Sequence, residues 1–158
     1  MNANNKMYRT PAEEMAAARV ALDDAQFNLE GGRWRVAAKE AYNAALRASH
    51  ARLLAAGLAL PRSHSGVNAE MARLYKMSSF RPAAILSELE GWKAAGDYGH
   101  GALPKPQEAA GAVDQARSFL LQIEKDIGRQ KDSPPTLGFI TKAQAAWKRR
   151  DGKGGIGD

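Results

Sequence analysis

Residues 89–101 read LEGWKAAGDYGHG, and between Lys93 and His100 they place a lysine, an aspartate, a tyrosine and a histidine. This combination can act on a phosphodiester without a metal. A histidine exchanges protons near neutral pH, so His100 can serve as base on a ribose 2′-hydroxyl or as acid on the leaving oxygen. Lys93 supplies fixed positive charge for the scissile phosphate and for the charge that builds on it. Asp97 can orient either group, and Tyr98 can stack on a base or donate a hydrogen bond. A plainer account uses the same residues. Lys93 and Asp97 are four apart, the spacing of an ordinary surface ion pair, while Tyr98 anchors a loop and His100 caps it. Binding of RNA or a nucleotide without turnover lies between the two.

Other candidates are more dispersed. His64 stands in RSHSGV, where it can bind a phosphate at a helix N-terminus or simply close the turn. His50, inside an alanine-rich helical segment, suits packing or surface better than ligation. Arg33, Arg35, Lys39 and Arg47 give that segment a basic side, interrupted by Glu40. The side is either an RNA-facing strip containing Arg47 or a solvated surface. The three histidines are far apart and form no zinc pattern, and no glycine-rich phosphate loop or nucleophile elbow is present. Neither a metal nor a cofactor is expected.

The elements that must position these groups are helices. Thr10, Pro11 and Glu13 have the spacing of an N-cap, a first-position proline and a capping box. Met15, Ala18, Leu22, Ala25 and Leu29 then recur at three and four up to Gly31 and Gly32. A second helix over 33–56 carries the small face Ala37, Ala41, Ala44, Ala45 and Ala48, which allows close approach and marks it as central. Ser63 or Ser65 caps a third helix bearing Val67, Met71 and Leu74. A fourth begins near Pro82, carries Ile85, Leu89 and Trp92, and is expected to end at Gly96. Trp34 and Trp92 are expected to close the core. The fifth has the cleanest period, with Val113, Ala116, Leu120, Ile123 and Ile127, and Gly128 as its predicted stop. No segment has strand character. The predicted fold is all-α, a mostly antiparallel bundle of four to five helices over residues 11–128. A basic extension over 129–158 carries a candidate short helix around Trp147.

Composition sets the outer bounds. The 158 residues suit one principal core, and 23 Lys and Arg against 17 Asp and Glu give a net charge of +6. Residues 129–158 hold seven Lys and Arg against three Asp, so +4 of that charge sits in the extension. Attraction for a polyanion is therefore partly a property of the tail. The absence of cysteine excludes a disulfide scaffold or thiolate metal site. No apolar run is long enough to span a bilayer, and residues 1–14 lack the apolar core of a signal peptide. A cytoplasmic protein without membrane contact is expected.

Taken together, AYNAALRASHARLL, RSHSGV and KAAGDY resemble, in order and spacing, the AYYAxxHAARALL, KTHSGV and RxxADY phrases of the small standalone bacterial branch of the HEPN superfamily. The likeness runs from about residue 14 to residue 127. It implies a helical bundle that commonly forms a homodimer, with polar motifs facing a cleft between subunits. It implies a protein that binds RNA or nucleotide, or a metal-independent ribonuclease, in a toxin–antitoxin or defence setting beside a nucleotidyltransferase-like antitoxin. The family's catalytic arginine–histidine pattern falls on Lys93 and His100, with six residues between them. Lysine keeps the charge but lacks the bidentate fork of arginine. Asn43 replaces the second tyrosine of the first phrase, and Gly96 replaces the alanine before Asp97 and Tyr98. These departures favour a specialised or non-cleaving site. A purely structural or partner-binding bundle is the remaining alternative.

Overall fold

The computed structural model describes residues 9–98 and 103–132, and it is helical: α1 (Pro11–Glu30), α2 (Trp34–Ala55), α3 (His64–Leu74), α4 (Pro82–Tyr98) and α5 (Pro106–Asp132). No strand occurs among the described residues.

Local chemistry fixes the helix ends. The Thr10 side chain accepts from the Glu13 backbone N–H, and the Glu13 carboxylate accepts in return from the Thr10 N–H, both at 3.1 Å. Two otherwise orphaned donors are thereby satisfied. After α1 the chain reverses at Gly31 and Gly32. Gly32 has φ +75°, a conformation that side chains with a Cβ rarely adopt. Ser63, not Ser65, caps α3 by accepting from the Gly66 N–H at 3.0 Å. Gly66 is required there for space: a Cβ would stand 2.7 Å from Pro61 Cβ and 3.0 Å from Ser63 Oγ. At the start of α5 the Glu108 carboxylate reaches back to the Lys105 N–H at 2.9 Å.

Two helices run further than predicted. α4 continues through Gly96 to Tyr98, and α5 continues through Gly128 to Asp132. One glycine inside a helix costs about 1 kcal/mol relative to alanine, too little to end a helix whose neighbours favour it.

α2 is the centre of the bundle. Its buried residues include seven alanines, Ala37, Ala38, Ala41, Ala44, Ala45, Ala48 and Ala51, all fully inaccessible. α1 packs against it in the opposite direction, so that Glu14 near the start of α1 meets Arg47 and His50 in the second half of α2. α5 runs antiparallel to α1, tied by Arg19 to Glu124 at 2.6 Å and by Arg117 to Gln26 at 2.7 Å. α3 runs alongside α2 in the same direction: His64 lies by Tyr42, and Tyr75 by Arg52. α4 returns antiparallel to α3, with Asn68 bonded to Ser87. Met71, Leu86, Leu89, Phe119 and Ile123 fill the space between. Trp92 packs against this core, whereas Trp34 is half-buried beside the Gly31–Gly32 turn.

A polar tie crosses the bundle from α2 through Tyr75 to α5. Arg52 is 7% exposed, and its Nε donates to the Tyr75 hydroxyl at 2.9 Å. That hydroxyl donates to Asp126 of α5 at 2.7 Å. Burial pushes the Tyr75 phenol up and the bond to Asp126 adds to this, against the opposing charge of Arg52. Tyr75 therefore stays a donor.

The compact unit containing these contacts ends at Ile127. A second unit covers 128–158, of which residues 128–132 are described. The predicted short helix around Trp147 lies outside the described residues. No helix among the described residues is long and apolar enough to cross a membrane.

Candidate functional site

Three helices converge on one tyrosine. Tyr42 of α2 is fully buried except through its hydroxyl bond, which it donates at 3.1 Å to Glu90 Oε2 of α4. The carboxylate itself is 40% exposed, so it forms the outer end of the pair. Burial pushes the pKa of the Tyr42 phenol up, and the neighbouring Glu90 charge pushes it further. Tyr42 is consequently a permanent donor that holds Glu90, and it is no candidate for a base.

Two cation-forming groups flank this pair. His64, the first residue of α3, is placed by the Ser63 cap and by the tight approach of Gly66 to Pro61. Its ring centroid lies 5.5 Å from that of Tyr42, and its Nδ1 is 3.9 Å from Glu90 Oε2. This separation suits an ion pair with a protonated imidazole and is too long for a hydrogen bond. Lys93 lies three residues beyond Glu90 on α4, with its Nζ 5.9 Å from the Tyr42 ring centroid. The ring face is electron-rich and attracts the ammonium. An exposed imidazole, a fixed ammonium and a held carboxylate thus border one polar surface.

The predicted residues divide accordingly. Lys93 and His64 come together around Tyr42 and Glu90. Asp97 and Tyr98 occupy the last turn of α4, and positions 93 and 97 are about one helical turn apart along it. His100 lies outside the described residues. Arg47 is elsewhere: its Nη1 meets both oxygens of Glu14 at 3.3–3.4 Å, on the side of α2 that faces α1. The Glu14 carboxylate is 2% exposed and also has His50 Nδ1 at 3.6 Å and Arg9 at 3.8 Å. Burial works against its charge, but the contact with His50 and the charge of Arg47 outweigh this and hold the carboxyl below its ordinary range. His50 is a packing partner of Glu14, in line with its sequence reading. Arg47 is drawn towards Glu14 because a buried carboxylate demands a counter-charge.

Sequence reasoning missed Tyr42 and Glu90. Signals for both exist: Tyr42 is the tyrosine retained in AYNA, and Glu90 precedes Lys93 by one helical turn. Among the described residues no group of three or more His, Cys, Asp or Glu side chains is arranged to hold a metal ion.

Comparison with protein-family models matches the HEPN domain over residues 13–126. The chain belongs to the HEPN-domain family. The match covers every helix that contributes to the Tyr42–Glu90 pair, and it includes the Lys93–His100 segment. A comparison with curated proteins returns no match. Within this HEPN domain, then, the Tyr42–Glu90 pair lies at the junction of α2, α3 and α4. The residues that depart from the RxxADY phrase sit in the last two turns of α4.

Proposed function

We propose that this HEPN domain binds RNA or a nucleotide at the surface bounded by His64, Glu90 and Lys93. The observation that carries the reading is the placement of Lys93 and His64 beside one buried tyrosine and the partly exposed carboxylate that it holds. The tyrosine–carboxylate bond fixes the geometry, while the flanking groups supply positive charge for a phosphate. The test is fluorescence anisotropy of a labelled single-stranded RNA across a range of salt. Binding is expected to weaken with salt and to fall when Lys93→Ala and His64→Ala are combined. A chain truncated after residue 132 separates the bundle from its basic tail. Loss of all affinity on truncation would move binding to the tail, and no affinity in the full chain would favour a structural or partner-binding role.

A second reading, a metal-independent endoribonuclease, draws support from the length of α4. Because the helix continues to Tyr98, Lys93 and Asp97 keep helical register, and His100 follows two residues after its end. In this reading the 2′-oxygen attacks phosphorus as its proton passes to His100, Lys93 binds the phosphate, Asp97 orients, and the bond to the 5′-oxygen breaks as that oxygen takes a proton from water. The products are a 2′,3′-cyclic phosphate and a 5′-hydroxyl. Cleavage in the presence of chelator that disappears in His100→Ala supports it. Metal-dependent cleavage that survives the change rules it out.

The proposal extends to a cytoplasmic homodimer in a toxin–antitoxin or defence system, with a nucleotidyltransferase-like antitoxin as partner and residues 129–158 as an extension of the domain. Its support is the order of the three resembling phrases. Light scattering of the purified chain and the identity of the neighbouring gene check it.

A further inference from the structure

A groove of about 350 Å³ opens between α3 and α4, lined by Ser65, Asn68, Ser87, Glu90 and Gly91. It adjoins the surface described above, because Glu90 belongs to both. The size falls within the usual range of about 300–1,000 Å³ for small-molecule sites.

Its chemistry differs from that surface. Every polar side chain lining it can accept a hydrogen bond, and the one charged group is the Glu90 carboxylate. Oε2 of Glu90 is occupied by the Tyr42 hydroxyl, but Oε1 has no hydrogen-bond partner among the described residues. Asn68 donates through Nδ2 to Ser87 Oγ at 3.1 Å, and its buried Oδ1 has no hydrogen-bond partner among the described residues. The backbone at Gly91 is exposed, and a Cβ built there meets nothing within 4 Å. Nothing within the described residues requires a glycine at this position, and glycine weakens a helix interior. What its bare backbone provides is room for a close approach from outside.

We infer that this groove is a nucleoside subsite, in which Glu90 Oε1 accepts from paired donors of the ligand while Lys93, about one turn along α4, faces its phosphate. The inference rests on the proposed function and names the part of the ligand that is read. Paired donors occur on the Watson–Crick edge of guanine (N1–H and the N2 amine) and on the cis-diol of ribose. Adenine and cytosine offer an amine beside an acceptor, and uracil offers one N–H between two acceptors, so all three bases suit a carboxylate less well.

The test is calorimetric titration of the full chain with GMP, AMP, CMP, UMP, dGMP and inorganic phosphate, alongside the labelled-RNA measurement. Gly91→Leu fills the groove from an exposed helical position with open space and raises helix propensity, so it is expected to melt no lower than the wild type. Glu90→Gln keeps an oxygen for Tyr42 but removes the charge. Each is expected to weaken GMP binding at least about tenfold, as for loss of a hydrogen bond to a charged group. GMP ahead of the other ribonucleotides, with dGMP equal to GMP, assigns the donors to the base. Equal ribonucleotides with a weaker dGMP assign them to the ribose. Nucleotides that bind Gly91→Leu as they bind the wild type, or that bind no better than phosphate, overturn the inference. If RNA affinity still depends on Lys93 and His64 in that case, the proposed function survives. If neither RNA nor nucleotide binds the wild type, both fail.

Discussion

The hydroxyl of Tyr42 and the carboxylate of Glu90 meet at 3.1 Å across the contact between α2 and α4. Buried and solvent-facing chemistry are joined at this point, since the tyrosine is wholly inside and the carboxylate emerges at the surface. Tyr42→Phe removes the donor without changing the ring. Glu90 is partly exposed and water replaces part of the bond, so the expected loss of stability is about 0.5–1.5 kcal/mol. RNA affinity should fall with it, because the carboxylate is no longer held against His64. Urea unfolding and anisotropy measure the two effects, and an unchanged affinity would separate Tyr42 from the binding surface.

The Glu14 cluster predicts an acid-sensitive contribution to stability. Its folded carboxyl lies below the ordinary glutamate range of about 4.3. The stabilisation is fully present above that ordinary value and is lost as pH falls through the lowered folded value. Glu14→Gln should therefore destabilise the chain near neutral pH, by about 1–3 kcal/mol given that Arg47 remains partly solvated. The gap between variant and wild type should narrow as the buffer is taken below about pH 4. Thermal melts of both proteins over an acidic series check the sign, and a gap that widens on acidification contradicts it.

Tyr75→Phe removes one hydroxyl that serves both Arg52 and Asp126. Its expected cost is about 1–3 kcal/mol, because Arg52 is buried and water cannot readily take the place of the lost oxygen. The measurement is the urea midpoint, with an unchanged dependence on denaturant showing that the fold itself persists.

At Gly66 the constraint is steric. Gly66→Ala forces a methyl group against Pro61 and the capping oxygen of Ser63, and is expected to destabilise by about 1–3 kcal/mol. Since the same cap sets His64, nucleotide affinity should drop as well. Ser65→Ala, beside it but outside the cap, should leave stability within about 0.5 kcal/mol.

Much of the architecture is legible in the sequence because its determinants are local. Thr10 and Glu13 close a capping box within four residues, and the period from Val113 to Ile127 describes the buried side of α5 without reference to any other helix. The alanine face of α2 likewise announces a central helix. What resists such reading is contact between distant positions. Tyr42 and Glu90 are separated by 48 residues, and Tyr75 and Asp126 by 51. Each residue alone is unremarkable in type, and partner choice depends on how the helices are rotated. Arg47 shows the same limit from the other side. Its basic neighbours suggest a shared surface, but its direction is set by the burial of Glu14, a residue that reads from sequence as an ordinary first-turn acid. Gly96 and Gly128 illustrate a weaker local signal overruled by the surrounding helix.

The seven buried alanines of α2 have a consequence for how this chain can diverge. A centre made of methyl groups leaves no spare volume, so growth by even a methylene there pushes a whole neighbouring helix outward. Substitution is correspondingly steered to the rim, where positions 90, 91 and 93 stand on a surface open to change. Under the proposed function, descendants of this sequence acquire a new ligand preference by altering those few rim positions while the spacing of α2 from its neighbours is inherited unaltered. Under that proposal specificity is a separable trait of the domain, free to drift over a scaffold that is not.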